Sequence, residues 1–229
     1  MKRRGQLLFL FIVIFLIMDF TGSAQVISGS DYMAPEHLVI EQQPGGSVTF
    51  DDGAMEITDV NGCTVWFKNK LESPVKIEYE VTFIDEGGPF DRVSDLNCFW
   101  MATDPKNPDD FFAASEERAG KFTNYHGLEL YYVGYGGHNN TKTRFRRYNG
   151  TMDRPLLPEH DLSEKKFMIK ANIKIHVCLI ADGNQISYVR NGETVFSIDD
   201  EEPYTEGYFG IRTVNNHMKI ENLKISNLN

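Results

Sequence analysis

The chain has 229 residues, 41% hydrophobic and 24% charged, with a formal net charge of −10 at pH 7. Its length and apolar content suit a folded body with a sizeable core and argue against a disordered chain. The acidic balance argues against nucleic acid or an anionic membrane as partner, because both need a basic footprint.

The first element is a leader. Lys2-Arg3-Arg4 is followed by twelve unbroken apolar residues, Leu7 to Met18, and then by Gly22-Ser23-Ala24. A basic start, a short apolar stretch and a small-residue exit are the marks of a cleavable signal peptide, here cut before Gln25. A bilayer span needs about 20 apolar residues, so an uncleaved anchor fits less well. Residues 1–24 are therefore expected to be removed, leaving 25–229 as one exported domain, periplasmic or extracellular, with no membrane span. The leader carries three basic residues and one acid, so its loss moves the net charge from −10 to −12.

The rest of the chain reads mostly with period two. Residues 75–83 and 173–179 alternate apolar and polar side chains, as half-buried strands do. Further strands are expected near 37–42, 53–58, 63–67, 93–102, 127–135, 143–148, 207–214 and 218–226. Asp182-Gly183 and Asn191-Gly192 are hairpin signals that organise 175–198 into a three-stranded meander. Only 110–122 looks helical. About a dozen strands in one body predict an all-β fold, a two-sheet antiparallel sandwich or jelly roll.

Cys63, Cys98 and Cys178 each sit in an apolar stretch and read as small buried hydrophobes. One disulfide is chemically open to them, but three widely spaced cysteines form no framework, and no pair has zinc-ligand spacing. No cofactor is expected. Asp51-Asp52-Gly53 and Asp85-Glu86-Gly87 could lend oxygens to a structural calcium ion, although turns use the same residues without one.

Residues 131–148 carry the densest polar chemistry. Four tyrosines, a histidine, two asparagines, three arginines and a lysine surround a glycine-rich bend. Aromatic faces beside guanidinium forks suit a poly- or oligosaccharide, because sugar rings stack on aromatics and carboxylates pair with arginine. Strand parity sets Leu128, Leu130 and Tyr132 on one face, expected to be core. Glu129, Tyr131, Val133 and Tyr135 fall on the other, expected to line a groove. Arg144, Arg146 and Tyr148 share a face, with Phe145 opposite as a core anchor. His138 and Asn139 sit at the bend.

Three later runs add a resemblance. They are Ile186-Ser-Tyr-Val-Arg-Asn-Gly-Glu-Thr-Val-Phe196, Glu206-Gly-Tyr-Phe-Gly-Ile-Arg-Thr213 and Ile220-Glu-Asn-Leu-Lys-Ile225. They resemble the closing strands of concanavalin A-like jelly rolls. With Asp95-Leu-Asn-Cys-Phe-Trp-Met-Ala102, the 131–148 block and Arg154-Pro-Leu-Leu-Pro-Glu-His-Asp161, the chain resembles a YesU-type family of exported bacterial proteins. That resemblance implies a role in using plant cell-wall polysaccharide, often pectic, and carries over no catalytic residues.

Three readings follow. A lyase acting on uronates needs a base beside the carboxylate and cations to hold it. His138 or Tyr131 would be the base, Arg144 and Arg146 the cations, and Glu129 an orienting or acid group. A retaining hydrolase needs two carboxylates about 5 Å apart. Glu159-His-Asp161-Leu-Ser-Glu164 has the literal spacing, but it follows a proline-rich loop and precedes two lysines. A binding module without chemistry would stack sugars on Trp100, Tyr131, Tyr135 and Tyr148, with Asn139 and the arginines bonding hydroxyls.

Overall fold

The computed structural model describes residues 26–28 and 30–228. The expected leader, residues 1–24, lies outside the described residues. The chain first forms β1 (Val26–Ser28), β2 (Leu38–Gln42), β3 (Ser47–Asp51), β4 (Ala54–Asp59), β5 (Cys63–Phe67) and β6 (Leu71–Glu72). Next come β7 (Val75–Phe83), β8 (Leu96–Thr103), β9 (Glu129–Gly136), β10 (Lys142–Asn149) and β11 (Asp161–Leu162). It closes with β12 (Lys174–Asp182), β13 (Gln185–Arg190), β14 (Glu193–Asp199), β15 (Glu206–Thr213) and β16 (Asn216–Asn227).

These strands make two antiparallel sheets packed face to face. A back sheet runs β14-β13-β12-β7-β16-β4-β3, with β1 beside β16. A front sheet runs β11-β10-β9-β8-β15-β5-β2, with β6 beside β15. The predicted all-β two-sheet jelly roll is the fold found. The meander of β12, β13 and β14 forms as expected. At its second turn Asn191 and Gly192 both have positive φ, 51° and 80°. The first turn differs: Asp182 pairs with Gln185, so Gly183 and Asn184 form the bend and only Gly183 has positive φ.

Between the sheets lies the main core, with Ile77, Tyr79, Val81, Trp100, Tyr131, Val133, Phe145, Leu179 and Ile211 all buried. Cys63, Cys98 and Cys178 are free and buried, as their apolar surroundings suggested. Strand β3 escaped the sequence reading because none of its five residues is buried. Its Val48 and Phe50 pack only half-buried against the core, and two alternating apolar residues leave a weak signal.

The front sheet has a second apolar layer on the face turned away from the core. Trp66, Phe99, Leu130, Tyr132 and Tyr148 pack there against Phe111, Tyr125 and Leu128. The last three belong to a strap, residues 104–128, that crosses this face. The helical expectation for 110–122 is met in broken form, as a 3-10 turn at Phe111–Ala114 and one helical turn at Ser115–Arg118. Asp110 starts it by accepting from the Phe112 N–H at 3.0 Å. Ala119, at φ 42°, ends it.

A buried polar cluster pins the strap. Arg118 Nη2 lies 2.9 Å from Glu41 Oε1, and the Tyr125 hydroxyl donates to Glu41 Oε2 at 2.6 Å. Arg212 donates to the Gly120 carbonyl at 3.2 Å. Glu41, Arg118 and Arg212 are 2–3% exposed, so their charges are stable only because they are paired or hydrogen-bonded.

Candidate functional site

Strand register assembles the site. Across the front sheet Glu41 pairs with Thr64, Thr64 with Arg212, and Arg212 with Asn97. Asn97 then pairs with Gly134, Gly134 with Arg144, and Arg144 with Asp161. Paired residues share a face, so seven residues from seven strands make one polar row across the sheet. The row beneath it, Val39, Trp66, Gly210, Phe99, Tyr132 and Arg146, is apolar until its last member.

The strap covers the first half of the polar row. Over the second half opens a cleft of about 290 Å3, with Arg92, Lys142, Arg144, Arg146 and Arg154 around it. Tyr132 and Gly134 form its floor, and Asp95, His138 and Asn139 complete the rim. Gly134 is required there. A side chain at 134 would run into the Tyr132 ring, whose hydroxyl donates to Asn97 Oδ1 at 2.7 Å.

His138 and Asn139 reach the rim through an unusual turn. His138, Asn139 and Asn140 have φ of 54°, 58° and 57°, three left-handed residues in succession. Each non-glycine residue held so costs roughly 1–2 kcal/mol, which neighbours must offset. The Asn140 side chain does so by exchanging two hydrogen bonds with the Ile169 backbone, at 2.8 and 2.9 Å. The Thr141 hydroxyl donates to the His138 carbonyl at 2.7 Å. Arg92 Nη2 donates to Asn139 Oδ1 at 2.6 Å.

The five cations are not equivalent. Arg92 pairs with Asp95 at 3.0 Å. Arg144 makes a two-pronged pair with Asp161, at 2.9 and 3.2 Å, and holds that carboxyl below its usual range. Lys142 stands 3.5 Å from the same carboxylate. Among the described residues neither Arg146 nor Arg154 has a carboxylate partner. Arg146 donates to the Arg154 carbonyl, and Arg154 lies 5.5 Å over the Phe122 ring. Burial lowers the Arg146 pKa, and the neighbouring Arg154 and Arg144 charges press it further down. His126, buried behind them, senses the same field. Its pKa falls to about 4, through burial first and then Arg154, Arg146 and Arg212. In an acidic protein this is a local excess of positive charge, an environment that favours an anion.

The arrangement brings together part of the predicted set. His138, Asn139, Arg144 and Arg146 converge, with Arg144 Nη1 2.6 Å from His138 Nε2. A guanidinium only donates, so Nε2 accepts and the ring proton sits on Nδ1. The aromatic half of the set lies elsewhere. Tyr131, Tyr135 and Trp100 are 0–2% exposed and face the core, not a groove. Their hydroxyls have structural work. Tyr131 donates to Asp200 at 2.7 Å and Tyr135 to the Met168 carbonyl at 3.1 Å. Tyr148 shares the Arg146 face as expected but is fully buried among the apolar layer.

The parity assignment for β9 is therefore reversed. Both faces of this strand are covered, one by the back sheet and one by the strap, so alternation does not distinguish them. Glu129 sits at the opposite end of β9 from the bend, near Thr103 Oγ1 at 3.4 Å. About seven residues of strand, roughly 23 Å, separate it from His138. It cannot orient that ring.

The Glu159–Glu164 string does not assemble a carboxylate pair. Asp161 is bound to Arg144, Glu159 is exposed on a 3-10 turn, and Glu164 is an exposed partner of Lys166. Among the described residues no group of three His, Cys, Asp or Glu side chains could hold a metal ion. At the Asp85-Glu86-Gly87 turn, Asp91 Oδ2 accepts the Glu86 and Gly88 N–H groups at 2.7 and 2.9 Å, so this bend is held by side-chain capping.

Sequence reasoning missed Arg92, Asp95, Tyr132, Gly134 and Arg154. Arg92 and Arg154 come from irregular loops that carry no periodic signal. Gly134 lies by the glycine-rich bend of the 131–148 block, but its contact with Tyr132 depends on the strand's facing.

A two-sheet antiparallel jelly roll with this strand order is the galectin-like and glucanase-like class of fold. Within it, the chain belongs to the DUF6250 family, described as a domain of unknown function, which matches residues 57–223. A Bacillus subtilis protein of unknown function with a galectin-like fold superposes with a TM-score of 0.63 at 16% identity, over 86% of this chain and 90% of that one. The carbohydrate-binding module CBM66 from Bacillus subtilis gives 0.54 at 12%, over 82% and 94%. A β-1,3-1,4-glucanase (lichenase) from a mouse hindgut metagenome gives 0.58 at 11%, over 88% and 98%. At these identities the likeness is one of fold. No curated protein matches the chain in sequence.

Proposed function

We propose that the protein binds an acidic saccharide in the cationic cleft, with a uronate carboxylate held between Arg146 and Arg154. The observation that carries this reading is that these two guanidiniums line an open cleft without a carboxylate of their own. Folds shared with a carbohydrate-binding module and a glucanase support a sugar as the carrier of that carboxylate. Asn139 on the rim offers a polar contact to a sugar hydroxyl, and the Tyr132 ring forms part of the floor.

Between the chemistries, elimination suits the cleft better than hydrolysis, since no carboxylate pair faces it. The uronate carboxylate, reaching Arg144 from its place between Arg146 and Arg154, would take over the donor now given to His138. That would free Nε2 to accept the proton beside the carboxylate. The leader at residues 1–24 supports export, and the YesU-type resemblance supports a plant-type polysaccharide.

A digest of polygalacturonate tests the reading, following both ultraviolet absorbance and reducing ends, beside an affinity gel containing the same polymer. Retention that weakens with added salt, as screened charge pairs do, together with absorbance from an unsaturated uronate, is the expected result. Retention without new ends or absorbance leaves a binding protein. Free migration through acidic and neutral glycan gels alike would sink the saccharide reading.

A further inference from the structure

We infer that the cleft takes the end of an acidic saccharide chain and shuts out its interior, an inference that rests on the saccharide reading above. The argument comes from what closes the cleft. In an open jelly-roll sheet the whole polar row would face solvent, and a polymer could lie across it from edge to edge. Here Asn97, Thr64, Arg212 and Glu41 are no more than 3% exposed. The strap seals them, with Arg212 bound to the Gly120 carbonyl and its guanidinium 4.7 Å over the Phe122 ring. That is the first wall.

A second wall stands where β9 ends. Arg92 bridges to Asn139 at 2.6 Å and also donates to the Val214 and Asn215 carbonyls at 3.0 and 3.2 Å. Three separate segments are thereby joined across that end. The left-handed turn at 138–140 makes this join possible, because it aims Asn139 at Arg92.

The third wall is the loop after β10. Arg146 donates to the Arg154 carbonyl, and the Arg154 side chain lies over Phe122, tying this loop to the strap. One side remains, towards the short strand β11 with Lys142, Arg144 and Asp161 at its mouth. A chain passing through a site needs an entrance and an exit, and this cleft has only the first. Its volume of about 290 Å3 lies at the low end of the roughly 300–1,000 Å3 of small-molecule sites, room for one or two pyranose rings.

Calorimetric titration of the full chain with galacturonate, its dimer, trimer and hexamer, and then polygalacturonate, tests the inference. Affinity per molecule should rise from monomer to dimer and then change by less than about threefold to the hexamer. On the polymer, bound protein should follow the number of chain ends and not chain length. A further gain of about tenfold or more from dimer to hexamer, or several proteins bound per chain in proportion to its length, would overturn the inference and leave acidic-saccharide binding intact. Silence with every length would remove the saccharide reading, and this inference with it.

Discussion

Two groups of arginines on the outer face of the front sheet stand in opposite circumstances. Under the strap, Arg118 faces Glu41 and Asp104, at 2.9 and 3.7 Å, and the Tyr125 hydroxyl completes the Glu41 carboxylate. At the open end, Arg146 and Arg154 line a cleft with no carboxylate between them. Buried charge without a partner is too costly to keep, so the covered charges are met internally, Arg118 by Glu41 and Arg212 by the Gly120 carbonyl and the Phe122 ring. Solvent can hold the exposed charges, which leaves them available to a ligand. Whether an arginine on this face is left without a carboxylate depends on what lies over and beside it.

The sharpest way to break that contrast is to unpair the covered group. Arg118→Ala should cost about 3–5 kcal/mol, because it leaves the Glu41 charge buried alone. Urea denaturation reads it directly, and a loss below about 1 kcal/mol would mean the strap is held mainly by its aromatic contacts. Arg146→Ala should do the reverse. The fold should keep its stability, while binding of a uronate dimer weakens by about 1.5–3 kcal/mol, the worth of a hydrogen bond to a charged group. Calorimetry and a melting curve on one preparation separate the two effects.

Gly134→Ala tests the boundary between the two groups. The added methyl meets Tyr132, so either the Tyr132–Asn97 hydrogen bond breaks or the strand shifts. A stability loss of about 1–3 kcal/mol is expected from such overpacking, visible in chemical denaturation. A neutral outcome would show the tyrosine free to move.

The smallest expected effect lies behind the rim. His217 Nδ1, on β16, is 2.8 Å from Asp91 on the loop that leads into Arg92, and its Nε2 is 2.7 Å from Glu56 on β4. Burial works against the charged ring, but the two carboxylates outweigh it and raise its pKa. A raised folded-state pKa gives stability that is complete below the unfolded value of about 6.5 and is lost as pH rises through the folded one. Melting temperature should therefore fall more steeply above that pH in wild type than in His217→Gln. Parallel curves would mean the clamp contributes nothing to the fold.

Much of the fold was legible. The alternation in 75–83 matches β7 residue for residue, and Cys63–Phe67 is β5 as expected. Asn191-Gly192 turns where its positive-φ preference requires. The candidate site was half legible. Its basic residues on β10 and the bend at 138–139 stand out because glycine, asparagine and arginine cluster in sequence. Tyr131, Tyr135 and Trp100 misled for a physical reason: a tyrosine is amphipathic, and its hydroxyl is satisfied as readily by Asp200 in the interior as by a sugar at the surface. The string at 159–164 misled because spacing alone does not say which way carboxylates point.

The sequence by itself determined what depends on near neighbours: strand periodicity, the turns, the acidic balance and the presence of a bend at 138–139. Those follow from local backbone preference and the period-two placement of side chains. Tertiary structure decided which face of β9 is core, which arginines are left without a carboxylate partner, and what walls the cleft. These depend on segments far apart in the chain, since Glu41, Arg118, Arg212, Arg92 and Arg154 meet this sheet from separate strands and loops. Burial is a property of the whole fold, and it is burial that sets what a charge can do.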